Sequence, residues 1–300
     1  MKNNFEVIII GGSYAGLSAA MALGRASRTI AVIDSGKPCN RQTPHSHNFL
    51  TQDGETPAAI SAKAKEQVVK YPTVQFIDAK ATKGIKTDYG FEIAIETGDV
   101  FSAKKILFAT GVTDIMPDIE GVAQCWGISV IHCPYCHGYE VKNIKTAILA
   151  NGDAAYHYCM LLTQWTKDLT VFSNGKCTLT DEQLLKLRAH NIDVIEAGVT
   201  CLKHTNGQLE SIVLNDGTIH PFTVMYYRAD FVQHSDILQK LGCNLDDNGF
   251  IIVDEMQRTG VPGVYAAGDN TSPMRSVANA VAGGMKAGAI INNEMAAESF

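Results

Sequence analysis

The stretch "FEVIIIGGSYAGLSAAMALGRASRTIAVIDSG", residues 5–36, decides the fold. Residues 5–10 form an apolar run interrupted only by Glu6, as expected of a strand buried on both faces of a parallel sheet. A glycine turn, a helix rich in small residues and a second apolar strand ending at Asp34 follow in order. The order strand, turn, helix, strand and acid is typical of a dinucleotide-binding βαβ unit.

The turn of this unit has the pattern Gly11-x-Ser13-x-x-Gly16, with serine at the position of the middle glycine. Gly11 permits a tight turn, and the helix beginning near Tyr14 points its backbone N–H groups at a pyrophosphate. Asp34 is placed to accept hydrogen bonds from ribose hydroxyls. We therefore predict dinucleotide binding here, and the alternative is an α/β turn that binds no ligand.

A second strand–turn–helix–strand pattern, "TAILANGDAAYHYCMLLTQWTKDLTVFSNG", occupies residues 146–175. Its turn, Ala150-x-Gly152-x-x-Ala155, is poor in glycine. After its second strand, "FSNGK" offers neither arginines for the 2′-phosphate of NADPH nor an acid for the ribose of NAD. The pattern predicts a second Rossmann-like fold, while nicotinamide binding stays open.

The stretch "IHCPYCHGYE", residues 131–140, contains Cys133 and Cys136 followed by His137. This spacing fits c-type haem attachment, a zinc site or a redox-active dithiol. A structural zinc site usually draws four ligands from two separated pairs, and no second pair follows. The start "MKNNFEVIIIGG" lacks the features of a secretory signal, so we expect a cytoplasmic protein, where haem of this type is not normally attached. The pattern therefore favours a redox dithiol and no metal.

The remaining cysteines are isolated in the sequence, and free cysteine is among the most buried residue types. We predict that six of them are ordinary buried residues, namely Cys39, Cys125, Cys159, Cys177, Cys201 and Cys243.

The composition fits a globular protein with room for two domains. The chain has 300 residues, of which 46% are hydrophobic and 19% charged. Its formal net charge is −6 and its basic residues are scattered, so nothing indicates nucleic-acid binding. No uncharged apolar run reaches the roughly 18 residues of a transmembrane helix, so no membrane span is predicted.

These motifs together resemble the low-molecular-weight thioredoxin reductase family of FAD-dependent pyridine nucleotide-disulfide oxidoreductases. The resemblance spans nearly the whole chain and rests on "IIIGGSYAG", "FATG" (108–111), the Cys pair and "GVYAAGD" (263–269). It implies an α/β fold with two Rossmann-like, three-layer nucleotide-binding domains, the second inserted into the first. The FAD-binding domain would comprise residues 1–115 and 248–300, and a central NAD(P)-binding-like domain, residues 116–247, would carry the Cys pair.

The resemblance also implies roles for individual residues. Cys136 would be the flavin-side cysteine and Cys133 the interchange cysteine. The chemistry of imidazole adds two roles for His137: as imidazolium it would help to ionise a thiol, and as a general acid/base it would remove a proton from a substrate thiol, which favours the oxidase direction. The residues that would bind FAD are Gly11, Gly12, Ser13, Ala15, Gly16, Asp34, Ser35, Thr110, Gly111, Gly268, Asp269, Arg275, Ser276 and Val277. His45 and His47 are further candidates for proton transfer or substrate contact, His132 is expected to be structural, and His234 stays open.

The Cys-x-x-Cys-His-Gly-Tyr-Glu motif with "HSHNFLTQDG" (45–54) is more similar to a branch of this family with dithiol oxidases of the gliotoxin and holomycin type. The predicted function is an FAD-dependent thiol–disulfide oxidoreductase that cycles a Cys133–Cys136 disulfide, with use of NADPH left open. Alternatives are a dithiol oxidase passing electrons to oxygen, a ferredoxin-dependent thioredoxin reductase, and a non-enzymatic flavin-binding redox sensor. The expected partners are a small dithiol or disulfide, or a thioredoxin-like protein, and a second copy in a homodimer.

Overall fold

The structure is a computed structural model that describes residues 3–300. These residues form seventeen strands and eight helices. The strands are β1 (Asn4–Ile10), β2 (Ile30–Asp34), β3 (Val74–Asp78), β4 (Ala81–Thr87), β5 (Gly90–Ile95), β6 (Val100–Phe108), β7 (Val112–Ile115), β8 (Val130–Ile131), β9 (Thr146–Leu149), β10 (Leu169–Phe172), β11 (Asp193–Ile195), β12 (Val199–Thr205), β13 (Gln208–Leu214), β14 (Ile219–Pro221), β15 (Val224–Tyr227), β16 (Asp230–Gln233) and β17 (Val264–Ala266). The helices are α1 (Tyr14–Arg25), α2 (Pro57–Val68), α3 (Val122–Cys125), α4 (Pro134–His137), α5 (Gly152–Leu162), α6 (Asp181–Ala189), α7 (Ile237–Lys240) and α8 (Val277–Ser299).

The chain divides into two compact units. The discontinuous unit consists of the chain up to Arg41, Phe49–Thr113 and Phe231–Phe300, and the central unit consists of Gln42–Asn48 and Asp114–Asp230. The sequence places the domain boundaries at 115/116 and 247/248 instead. Residues 231–247 join the discontinuous unit because Ile237 and Leu238 of α7 are buried in its core.

The discontinuous unit is built on one sheet with the strand order β3-β2-β1-β6-β5-β4. The strands β3, β2, β1 and β6 run parallel, whereas β6, β5 and β4 form an antiparallel meander. The short strand β17 pairs in parallel with the end of β6, from Ile106 to Phe108. The carboxyl ends of β1, β2, β6 and β17 therefore lie at one edge of this sheet, where ligands bind in open α/β folds.

The strand β1 is buried on both faces, as its continuous apolar run predicts. Val7 and Ile9 belong to one core, which also contains side chains of α1, α2 and α8. Ile8 and Ile10 belong to a second core on the opposite face, which includes β4, β5 and α7. This alternation follows from the two-residue period of a strand and gives the unit three layers.

On the face of the sheet that carries α1, α2 and α8, the helix α8 packs closely against α1. A Cβ atom at Gly284 of α8 would overlap the backbone carbonyl oxygen of Ala15, and one at Gly288 would lie 2.8 Å from the carbonyl oxygen of Ala19. Ser276 caps α8, because its hydroxyl accepts a hydrogen bond from the amide of Asn279 (3.1 Å). The small residues of both helices thus set how closely α8 approaches the glycine turn of α1.

The central unit contains a parallel sheet with the strand order β11-β10-β9-β15-β8 and an antiparallel sheet with the order β12-β13-β14. Its α5 connects β9 to β10 and α6 connects β10 to β11, which is the expected βαβ arrangement. The α/β class predicted from the sequence is confirmed. No helix within residues 3–300 combines the length and the apolar character needed to cross a bilayer.

The contact between α8 and α1 can be tested with two neighbouring glycines. We expect Gly284→Ala to lower the free energy of unfolding by about 1–3 kcal/mol, because its methyl group forces the helices apart. Gly283→Ala is the matched control, since its Cβ meets nothing closer than 3.5 Å. There we expect a gain of about 0.5–1 kcal/mol from the helix preference of alanine. Denaturant unfolding of both variants checks this, and equal effects would contradict it.

Candidate active site

The glycine turn between β1 and α1 is held by backbone contacts that leave no room for side chains. Gly11 has φ +104°, and its amide donates a hydrogen bond to the carbonyl oxygen of Ile33 (2.8 Å). A Cβ atom there would overlap the carbonyl oxygen of Ala109, and one at Gly16 would overlap that of Gly11. The turn therefore needs glycine at both positions, which is the reason for the motif in the sequence.

The N-terminus of α1 is open to an anion. Ser13 occupies the N-cap position with no side-chain capping hydrogen bond, and the first turn carries no acidic residue. The amide groups of this turn and the positive end of the helix dipole are therefore available to a pyrophosphate. Ala15 lies in the same turn and is buried.

Asp34 stands at the carboxyl end of β2, beside the same turn. Its Oδ1 accepts a hydrogen bond from the amide of Gly12 (3.0 Å), and a Cβ atom at Gly12 would lie only 2.9 Å from the Asp34 Cβ. A carboxylate has a second oxygen with which to accept a ribose hydroxyl. The next residue, Ser35, is exposed.

The remaining residues assigned to FAD lie after β6, after β17 and at the start of α8. Thr110 and Gly111 directly follow β6, Gly268 and Asp269 follow β17, and α8 begins with Ser276 as N-cap and Val277 as its first residue. Asp269 Oδ2 lies 3.6 Å from Arg275 Nε and 3.7 Å from Cys39 Sγ. The discontinuous unit therefore contains all fourteen of the residues that we named for FAD.

These residues fit FAD. The turn offers unused amides for a pyrophosphate, Asp34 offers a carboxylate for a ribose, and Asp269 stands at the carboxyl end of β17. The assignment of each residue to a part of FAD stays a prediction.

In the central unit, β8 leads directly into the cysteine pair. Cys133 and Cys136 are joined in a disulfide with their Cα atoms 5.2 Å apart. Cys133 is the N-cap residue of α4 and Pro134 its first residue, so the expected helix start is present. The helix is only four residues long, so its dipole is small.

Three histidines and one glutamate form a cluster that includes His137 of α4. The ring of His137 stands edge-on to that of His47, with centroids 6.5 Å apart, and the His45 ring lies 6.4 Å from that of His47. The carboxylate Oε1 of Glu140 lies 3.5 Å from His47 Nδ1. All four belong to the central unit, which includes Gln42–Asn48.

Burial lowers the pKa of His137 below its ordinary value of 6.5. The nearby charge of His47 lowers this pKa further, and the charge of Glu140 opposes the shift. The lowered pKa favours the neutral imidazole over the imidazolium that would help to ionise a thiol, and the role of His137 stays a prediction. A neutral imidazole is instead suited to accept a thiol proton.

The other two histidines have different surroundings. His132 stacks on Trp126 with ring centroids 5.5 Å apart, and its carbonyl oxygen accepts a hydrogen bond from the Tyr158 hydroxyl (3.0 Å), as a structural residue would. His234 belongs to the discontinuous unit, where its Nδ1 lies 2.8 Å from the Thr113 hydroxyl. Burial and the cations that include Lys80 lower the pKa of His234.

The isolated cysteines differ in burial. Cys125, Cys159, Cys201 and Cys243 are buried, as predicted. The prediction is wrong for Cys39 and Cys177, which are half-buried because both lie in surface loops. No group of three or more His, Cys, Asp and Glu side chains in the described part of the chain has the geometry to hold a metal ion.

The chain as a whole is similar to known proteins. Residues 5–284 match the model of the pyridine nucleotide-disulphide oxidoreductase family. The chain belongs to this family. It is therefore an FAD-dependent oxidoreductase, and the predicted membership is confirmed.

Individual members of the family match over nearly the full chain. The chain is 32% identical to thioredoxin reductase tcpT of Claviceps purpurea over 99% of its own length and 96% of that protein. The solved structure of an oxidoreductase from Agrobacterium tumefaciens is 37% identical, with a TM-score of 0.91 and 99% of each chain covered. That of HlmI is 31% identical, with a TM-score of 0.93, and covers 100% of this chain and 95% of its own. The fold and disulfide oxidoreductase class are thus those of thioredoxin reductase-like proteins.

The second nucleotide-binding-like turn of this family member, between β9 and α5, is filled by its own side chains. Asn151 Oδ1 accepts hydrogen bonds from the amides of Gly152 and Thr178 (both 2.9 Å) and from the Thr178 hydroxyl (3.1 Å). Asp153 lies in the first turn of α5, where it accepts a hydrogen bond from Gln183 Nε2 (2.7 Å). This helix N-terminus thus carries its own cap and its own negative charge.

Two site residues escaped the sequence interpretation. Asn270 is fully buried, and its Nδ2 donates a hydrogen bond to the carbonyl oxygen of Phe108 (3.0 Å), which fastens the Asp269 loop to the end of β6. Glu140 ends the "CHGYE" motif, but nothing in the motif indicates that His47 is its partner. The signals available were that Asn270 directly follows Asp269 and that Glu140 lies three residues after His137.

The glycine turn can be tested through the flavin content of the purified protein. We expect Gly11→Ala to weaken FAD binding by about 10-fold to 100-fold, which corresponds to an overpacking cost of about 1–3 kcal/mol. The matched control is Gly36→Ala, because Gly36 also has a positive φ (+71°) but has no atoms within 4 Å of a new Cβ. The ratio of flavin to protein absorbance measures both variants. Equal flavin loss would contradict the role of the Gly11 contact.

Proposed function

We propose that this protein is a dithiol oxidase, which takes two electrons from a dithiol through Cys133–Cys136 and FAD and gives them to dioxygen. The observation that carries this proposal is the Asn151 side chain, which fills the turn where a nicotinamide nucleotide would bind. An enzyme of this family without a nicotinamide donor needs another source of electrons, and a dithiol substrate is one.

Two features at the start of α5 disfavour the binding of a dinucleotide. The amide of Gly152, which a pyrophosphate would need, already donates to Asn151. The carboxylate of Asp153 in the same turn would repel the phosphates.

The loop after β10 also disfavours binding of the nucleotide ribose, because its polar side chains form hydrogen bonds within the protein. Ser173 Oγ donates to the carbonyl oxygen of Gly175 (2.7 Å), and Asn174 Oδ1 accepts from the amide of Val199 (2.8 Å). These polar atoms hold their own loop, and no arginine or acid stands between β10 and Cys177 to bind a phosphate or a ribose.

The chemistry at the disulfide consists of two exchange steps. One substrate thiol gives its proton to a base, the resulting thiolate attacks Cys133 Sγ, and Cys136 leaves as a thiolate. The second substrate thiol also loses its proton and attacks the substrate sulfur of the mixed disulfide, which releases Cys133. The substrate has then become a disulfide, and the cysteine pair has gained two electrons.

His137 supports this direction, because a neutral imidazole can accept a proton from a substrate thiol. When bound, FAD supplies two-electron chemistry, by which the cysteine pair returns to a disulfide while dioxygen and two protons become hydrogen peroxide. The overall reaction converts one dithiol and one dioxygen into one disulfide and one hydrogen peroxide.

The second candidate function is the reduction of a thioredoxin-like protein, because relatives such as tcpT are named thioredoxin reductases. Its electrons would come from NADPH or, in view of the filled turn, from a protein such as ferredoxin. A flavin-binding redox sensor would share the same disulfide but would not turn over. We further propose a homodimer in the cytoplasm, on the basis of the family resemblance.

Anaerobic mixing separates these functions. We expect NADPH and NADH to leave the flavin absorbance unchanged, because the turn of α5 is filled, and dithiothreitol to bleach it. Admission of air should restore the absorbance and release one hydrogen peroxide per disulfide formed. Fast bleaching by NADPH would refute the oxidase proposal in favour of a reductase. Bleaching without repeated turnover in air would favour the sensor.

The cysteine pair can be tested by single substitutions. We expect Cys133→Ser and Cys136→Ser each to retain the yellow flavin and to slow its bleaching by a dithiol about 10³-fold or more, because members of one catalytic unit fail together. Cys177→Ser is the matched control, since Cys177 is a half-buried free cysteine of the same unit. Stopped-flow absorbance measures the rates. Bleaching at an unaltered rate in either of the first two variants would contradict the proposed route.

A further inference from the structure

Glu140 lies three residues after His137 and outside the Cys-x-x-Cys-His motif. Its side chain is 39% exposed, and its Oε1 lies 3.5 Å from Nδ1 of His47, whose side chain is 18% exposed. A carboxylate at this distance restricts the orientation of the imidazole ring.

His47 in turn stands beside His137. The His47 ring meets the His137 ring edge-on at 86°, with centroids 6.5 Å apart, and the chain reaches this position through Gln42–Asn48, which packs in the central unit. Two imidazoles this close do not readily carry charge together, because like charges repel. Both can hold a proton at once only if a negative charge offsets this repulsion, and the Glu140 carboxylate faces His47.

The proposed reaction releases two protons from each dithiol at the same disulfide. A single neutral imidazole takes up only one proton, so the second substrate thiol needs another acceptor or must wait for the first proton to leave. His47 is the neighbouring imidazole that can fill this need.

We propose that Glu140 is a positioning residue that holds His47 as the second proton acceptor beside His137. The first thiol proton goes to His137 and the second to His47, whose positive charge then faces the Glu140 carboxylate. This assignment rests on the proposed dithiol chemistry, since a reductase would use the same pair in the opposite direction, as proton donors.

The charges around the three side chains agree with this arrangement. The pKa of His137 is lowered by burial and by His47 and is raised by Glu140, so both partners act on it with opposite sign. The ring of His45 lies 6.4 Å from that of His47. The buried phenol of Tyr226 also responds to Glu140, whose charge adds to the effects of burial and of Tyr158 in raising its pKa.

The coupling can be tested without turnover, by a titration of ¹³C-labelled histidines followed by NMR in the oxidised, FAD-loaded protein. We expect Glu140→Gln to lower the pKa of His137, because an attractive charge is lost, and His47→Gln to raise it, because a repulsive one is lost. Glu182→Gln is the matched control, since Glu182 is an exposed carboxylate of the same unit that pairs with Lys186. An unchanged His137 titration in both variants would overturn the proposal.

The role of Glu140 in proton transfer can be tested by the rate at which dithiothreitol bleaches the flavin anaerobically. At pH 7 we expect a loss of about 10-fold for Glu140→Gln and at least about 100-fold for His137→Gln, the range of general-base catalysis. The losses should shrink above about pH 9, because thiols then ionise without a base. Glu140→Asp should recover part of the rate.

A merely structural role would give a different result, with an equal loss at every pH and a lower thermal midpoint for Glu140→Gln. That outcome would overturn the proposal. A wild-type flavin that no dithiol bleaches would refute the proposed function instead, and the NMR titration would still decide whether Glu140 and His47 act on His137.

Discussion

A backbone carbonyl oxygen stands where Gly11 would otherwise carry a side chain, and much of the discontinuous unit depends on that close approach. The Ala109 carbonyl at the end of β6 touches the turn after β1, and the Gly11 carbonyl touches Gly16 in α1. Two strands and one helix thereby meet at their backbones, with nothing between them. The first-turn amides of α1 are consequently directed at the edge of the sheet where FAD is expected.

The central unit has the same βαβ order, but its turn between β9 and α5 differs from the turn between β1 and α1. At the start of α5, the Asn151 side chain accepts hydrogen bonds from the amide of Gly152, the first residue of the helix, and from Thr178. The helix is stabilised by its own cap, which is the ordinary role of asparagine at this position. The same architecture carries the turn that fits FAD in one unit and the disulfide in the other.

His137 and His47 are the same type of residue, but they differ in burial and in the charged groups beside them. His137 is placed by the one-turn helix that also holds both cysteines, and burial lowers its pKa. His47 comes from a distant part of the sequence, and its Nδ1 lies 3.5 Å from the Glu140 carboxylate. A side chain must be unprotonated to take a proton from a thiol, and burial favours that form of His137.

The sequence by itself determined the α/β class, the family, the strand-end acid Asp34 and the cysteine pair, because each depends on residues close together in the chain. Tight turns need glycine, buried parallel strands need apolar runs, and a Cys-x-x-Cys pair can close a disulfide within one turn of helix. Only the tertiary structure decided the packing of residues 231–247 with the discontinuous unit, the hydrogen bonds of Asn151, the lowered pKa of His137 and the contact of Glu140 with His47. These features depend on burial and on contacts between segments far apart in sequence, which residue type and spacing do not encode.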